Sequence, residues 1–161
     1  MNNRWTKLGG LMAAAAVVLG AFGAHGLESY LVRKYDSETR QVLGQTVPAA
    51  EKYMDNFQTA ARYQMTHSIA LLITGLLIST RPRRSLTVAA WCFLGGTVLF
   101  SGSLYVLVLS GLSWLGAVTP IGGVLMIVGW LALAAGSCPG GSPHCTAGST
   151  ETTKQTSANV E

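Results

Sequence analysis

Residues 86–109 read LTVAAWCFLGGTVLFSGSLYVLVL, 24 positions without one charged side chain. A helix needs roughly 20 apolar residues to cross the ~30 Å hydrocarbon core of a bilayer, so this stretch is long enough to span. It is not built only to meet lipid. Phe100-Ser101-Gly102-Ser103-Leu104-Tyr105 places small and hydroxylated residues where a lipid-facing helix would carry Leu and Val, and such residues mark helix–helix contact inside a membrane. Working outward, residues 8–27, 62–80 and 114–136 have the same character. The expectation is an all-α chain, a four-helix transmembrane bundle with an amphipathic interfacial helix in its first loop.

Composition agrees. Among 161 residues 49% are hydrophobic and only 11% charged, with a mean hydropathy of +0.37, against about 25% charged in soluble proteins. The net charge of +4 is explained by where the cations sit, so a nucleic-acid partner is not needed. Arg81, Arg83 and Arg84 crowd one short turn, while residues 110–113 carry no charge. Basic residues of short loops stay cytoplasmic, which places the arginine turn and both termini in the cytoplasm, in agreement with Arg4 and Lys7. The first loop, residues 28–61, sets Arg33, Lys34, Arg40 and Lys52 against Glu28, Asp36, Glu38, Glu51 and Asp55 and is expected outside. Arg4 and Lys7 before an apolar run that ends in Ala21 and Gly23 also fit a secretory signal. The small residues continue through Ala24 and Gly26, which suits a retained helix.

The first loop is patterned in its second half. Ala50, Tyr53, Met54, Phe57 and Ala61 recur at helical spacing with polar residues between them, which predicts an amphipathic helix from near Pro48 that continues into the second span. Its apolar face suits lipid or the protein's own loops equally. Pro82 ends the second helix near Thr80, and Pro120 belongs to the first turn of the fourth. The expected organisation is a membrane domain over residues 1–136 and a polar, disordered tail over 137–161, too poor in apolar residues to offset the entropy of ordering.

Packing is expected along small-residue stripes: Ala16, Gly20 and Ala24 on the first span, Gly95, Gly96 and Gly102 on the third, Gly122, Gly123 and Gly129 on the fourth. Polar side chains at membrane depth are costly and become functional candidates. His25 and Glu28 near the end of the first span, with Tyr63, Gln64 and His67 near the start of the second, are expected to meet at one level, so that the two imidazoles share a cluster at the outer mouth. Ser101, Ser103 and Tyr105 join the candidates from the third span. Interhelical hydrogen bonding is the favoured account of these groups, with a proton relay or a metal site as the alternatives. Two histidines without an assured third ligand are a weak metal signal, no cofactor is implied, and no nucleophile with a base or phosphate-binding loop is present. Trp5, Trp91, Trp114 and Trp130 lie towards span ends, as an aromatic belt requires. Cys92 behaves as a small apolar residue, and Cys138, His144 and Cys145 in the tail match no ligand pattern.

Gly20-Ala21-Phe22-Gly23-Ala24-His25-Gly26-Leu27, Thr59-Ala60-x-x-Tyr63-Gln64-x-x-His67-x-x-Ala70-Leu71-Leu72, Phe100 to Tyr105, and Pro120-Ile121-Gly122-Gly123 with Gly129-Trp130 together resemble the DUF423 (UPF0382, YgdD-like) small membrane proteins. The likeness covers residues 7–136, with a longer first loop and an added tail. It implies a four-span protein of the bacterial inner membrane, related to the eukaryotic transmembrane protein 256, and supplies no activity, substrate or catalytic residue. The resulting expectation is a non-enzymatic membrane protein acting as an accessory or organising subunit, with the lipid bilayer, a second copy or another membrane protein as partner. The rivals are a small transporter or channel component whose path uses His25, Glu28, His67, Ser101 and Tyr105, and, more distantly, an enzyme acting on a lipid-borne substrate.

Overall fold

The computed structural model describes residues 4–137. Helix α1, Arg4–Phe22, continues through a π-helical turn, Gly23–Leu27, into α2, Glu28–Lys34. Two short strands, β1 (Thr39–Val42) and β2 (Gln45–Pro48), form an antiparallel hairpin. Helix α3 runs unbroken from Ala49 to Thr80, α4 from Arg84 to Ser110, and a 3-10 turn at Ser113–Ala117 leads into α5, Thr119–Ser137. The second helix thus begins at Ala49, as the pattern after Pro48 predicts, and its 32 residues reach about 48 Å at 1.5 Å per residue. The fourth apolar stretch opens with a 3-10 turn over residues 113–117 before α5 begins. The tail from Cys138, with its expected disorder, lies outside the described residues.

Three helical stretches, Arg4–Lys34, Arg84–Ser110 and Ser113–Ser137, are long and apolar enough to cross a membrane by length and composition. Helix α3 is not among them, since Gln64, His67, Ser68 and Thr74 dilute its apolar run. All four of these side chains are buried. The long helices pack in a row, α1 on α3, α3 on α4 and α4 on α5, without substantial packing between α1 and α5 among the described residues.

Close approach at glycine fixes this row. A Cβ on Gly9 would stand 2.7 Å from the Leu72 backbone nitrogen, and one on Gly75 would stand 2.5 Å from that of Thr6. Between α4 and α5, a Cβ on Gly96 would lie 3.0 Å from the Gly122 carbonyl oxygen, and one on Gly122 would lie 2.5 Å from the Phe100 nitrogen. Backbones this near allow the dispersion contacts that hold helices together in lipid. The expected stripe on α1 is corrected. Ala16 is buried, but Gly20 and Ala24 are exposed, and the buried small residues are Gly9, Ala16 and Gly23, seven apart as two nearly parallel or antiparallel helices require. Gly129 meets the Phe93 ring and Gly95 and Gly123 make ordinary contacts, while Gly102, like Gly20, meets nothing within 4 Å.

A second cluster caps the end formed by α2, the hairpin and the start of α3. Leu27, Leu31, Tyr35, Ala49, Tyr53 and Phe57 close over Leu107 and Val108 of α4. The apolar stripe of early α3 therefore faces protein at Tyr53 and Phe57. The hairpin, absent from the sequence expectation, turns through Leu43 and Gly44, both at positive φ (51° and 81°), the backbone that a two-residue hairpin turn demands.

Candidate functional site

The interior is tied by hydrogen bonds that cross from helix to helix. Gln64 of α3 donates its amide to the Met12 carbonyl of α1 at 3.0 Å, and its Oε1 accepts from the Tyr105 hydroxyl of α4 at 3.0 Å. One side chain thus links three helices. Ser101 donates to the Ala60 carbonyl across the α3–α4 interface at 2.8 Å. Ser103 reaches the Phe100 carbonyl and the Thr119 hydroxyl, both at 3.0 Å.

His67 is bound at both nitrogens. Its Nδ1 lies 2.8 Å from the Tyr63 carbonyl, an acceptor, and its Nε2 lies 3.2 Å from the Trp130 indole nitrogen, a donor only. The pair fixes the neutral tautomer with the proton on Nδ1. Such an imidazole has no nitrogen left for a metal, and accepting a proton would cost it the Trp130 bond. Around it, Tyr63 stacks on Phe100 with centroids 4.5 Å apart, and Trp130 meets Phe93 edge-on at 5.1 Å. Trp130 thus joins α5 to α3 and α4 through His67 and Phe93 while remaining 44% exposed.

The expected meeting of His25 with His67 does not occur. Gly9 lies against Leu72, Gly75 against Thr6 and Gly23 against Phe57, so His25 is level with about Asp55 of α3. His67 is some twelve residues further along, about 18 Å. The sequence expectation set the end of the first span level with the start of the second span near residue 62, whereas the turns of α3 from Ala49 onward already lie beside the end of the first helix. His25 and Glu28 are exposed and line an open surface hollow with Arg33. Among the described residues no group of His, Cys, Asp or Glu could hold a metal ion.

The cap carries two interhelical hydrogen-bonding side chains that the sequence did not single out. Lys34 hydrogen-bonds the Leu109 carbonyl and the Tyr35 hydroxyl donates to the Val108 carbonyl at 3.1 Å, so α2 satisfies acceptors that the end of α4 leaves open. Burial pushes the Tyr35 phenol up from its usual value, against the opposing pull of the Lys34 charge. No periodicity announces such a cap, because it depends on a contact 75 residues apart. Four surface cavities open at this end, lined by residues of the cap and the loops around it. None of these four is lined by Gln64, His67, Ser101 or Tyr105.

Known proteins agree with an integral membrane assignment. The DUF423 family, described as a protein of unknown function, matches residues 19–123. A UPF0382 membrane protein of Staphylococcus epidermidis is 45% identical over 126 residues, 78% of this chain and 88% of the relative. The UPF0382 membrane protein YwdK of Bacillus subtilis is 38% identical over 125 residues, 77% of this chain and 87% of the relative. No solved structure matches. With the family matched over most of the helical region and relatives aligned along nearly their whole length, the chain belongs to the DUF423 family of membrane proteins.

Proposed function

We propose that this is a four-pass protein of the bacterial plasma membrane, with a membrane domain over residues 1–136, that acts without catalysis as an accessory or organising subunit. The observation that carries the reading is the closure of the Gln64, Tyr105 and Met12 tie, in which polar groups of three helices satisfy one another; the buried hydroxyls of Thr6 and Thr97 stand outside it. A conducting path would instead leave such groups facing a common cavity. Helix α3 makes the fourth pass because Gln64, His67, Ser68 and Thr74 turn inward, so the low hydropathy that these four cause does not translate into polar surface towards lipid.

Charge supports the orientation. Arg4, Lys7, Arg81, Arg83 and Arg84 gather at the end where α1 begins and α3 turns into α4, and Glu28, Asp36, Glu38, Glu51 and Asp55 all lie towards the other end. The first end is then cytoplasmic. The flanks support an organising role: in the apolar stretches of the first and last candidate spans only 17% of residues are buried, against 44% in α4, which leaves α1 and α5 surface for lipid, a second copy or another membrane protein. The test is purification in mild detergent with identification of bound proteins, together with proteoliposome flux of protons and small ions. The expected result is a reproducible partner or self-association and no flux above empty vesicles; flux that His67→Ala abolishes would overturn the reading.

A further inference from the structure

A hollow of about 230 Å³ lies between the hairpin, the start of α3 and the outer end of α4. Its polar lining is Arg40 and Gln41 of β1, Lys52, Tyr53 and Asn56 of α3, and Ser113 of the turn that follows α4. Two cations and four neutral hydrogen-bonding groups converge there, and no carboxylate lines it. Arg40 is held in place: its Nη2 donates to the Tyr53 hydroxyl at 2.8 Å and its guanidinium lies 5.7 Å from the centre of the Tyr53 ring. Lys52 and Asn56 stand one helical turn apart and so share a face. Gln41 gives one amide hydrogen to Thr46 and retains a second. Among the described residues the one carboxylate in ion-pair reach is Glu38, 3.9 Å from Arg40 Nη2 and half exposed.

We propose that this hollow binds a phosphodiester anion, supplied by a phospholipid headgroup. Arginine and lysine flanked by amide and hydroxyl donors form the donor set that phosphate oxygens require. The lipid source follows from depth. The hollow sits at the end of α4, beside Leu112 (48% exposed), Trp114 (63%) and the hairpin tip Leu43, fully exposed; apolar side chains next to two cations suit acyl chains below and a phosphate above. The lipid source rests on the proposed crossing of α4, whereas the anion chemistry does not.

The test uses the full chain purified in detergent. Native mass spectrometry follows retention of added phosphatidylglycerol or phosphatidylcholine, and calorimetry follows inorganic phosphate. Phosphatidylglycerol is expected to be retained roughly ten-fold over phosphatidylcholine, a difference of about 1.4 kcal/mol. R40Q/K52Q should remove that preference and R40K/K52R should keep it, while E38Q, by lifting a competing charge, should strengthen retention. R33Q, which changes a cation outside the hollow, should leave the preference intact. Should R40Q/K52Q not fold, E38Q still decides: unchanged or weaker retention refutes the site. Phosphatidylglycerol retained by folded R40Q/K52Q as by wild type refutes it too. Inorganic phosphate bound through Arg40 and Lys52, without any preference among lipids, would overturn the lipid source while leaving the proposed membrane crossing untouched.

Discussion

Gln64 gives both ends of its amide to other helices, and each end has a price when its partner is removed. Tyr105→Phe strips the donor from Oε1 and should lower stability in detergent by about 1 kcal/mol, the scale of interhelical hydrogen bonds in membranes. Gln64→Leu should cost more, since it orphans the Tyr105 hydroxyl and also releases Met12. A double-mutant cycle on thermal unfolding should return a coupling of about 0.6 to 1.7 kcal/mol; additive effects would refute the tie. Much at this scale was legible. Gln64, His67, Ser101 and Tyr105 stand out in the sequence because polar side chains at depth demand partners. The identity of those partners was not, because it depends on register: nothing local tells that Tyr105 reaches Gln64 while His25 lies a dozen residues from the level of His67.

Helix α3 is the element on which the others are placed, and two glycines admit α1 to it. Gly9→Val drives a side chain into the Leu72 backbone and should destabilise by about 1–3 kcal/mol or prevent docking altogether. Gly20→Val, on the same helix but facing open space, should leave the unfolding temperature within a few degrees. A heat-stable Gly9→Val would disprove the contact. Sequence spacing favoured the wrong stripe here, because small residues four apart occur on both faces of α1 and only the partner helix chooses between them. At the other end Gly111 ends α4 at φ 79° beside the Tyr35 hydroxyl. Gly111→Ala therefore combines backbone strain with crowding and should cost about 1 kcal/mol or more by thermal unfolding. The hairpin escaped the sequence reading for a related reason: residues 39–48 are polar, only four residues pair on each strand, and Leu43 occupies a turn position usually given to Asn or Gly.

For the whole molecule, orientation is the property most open to experiment. A cysteine at Lys52 should react with a membrane-impermeant maleimide from outside intact cells, and one at Arg83 only after the membrane is opened; the reverse pattern would invert the proposed topology. The helical class and three stretches long and apolar enough to cross a membrane were readable from hydropathy, yet the row α1–α3–α4–α5 was not, since apolar length does not state which helix touches which. That row has a meaning for biogenesis. Each long helix after the first packs on the one made just before it, so every such segment leaving the ribosome can dock on a partner already made. The ties made through Tyr105 and Ser101 and the contacts of the cap with Val108 and Leu109 must await α4, which makes the third long helix the clasp that locks the first two in register.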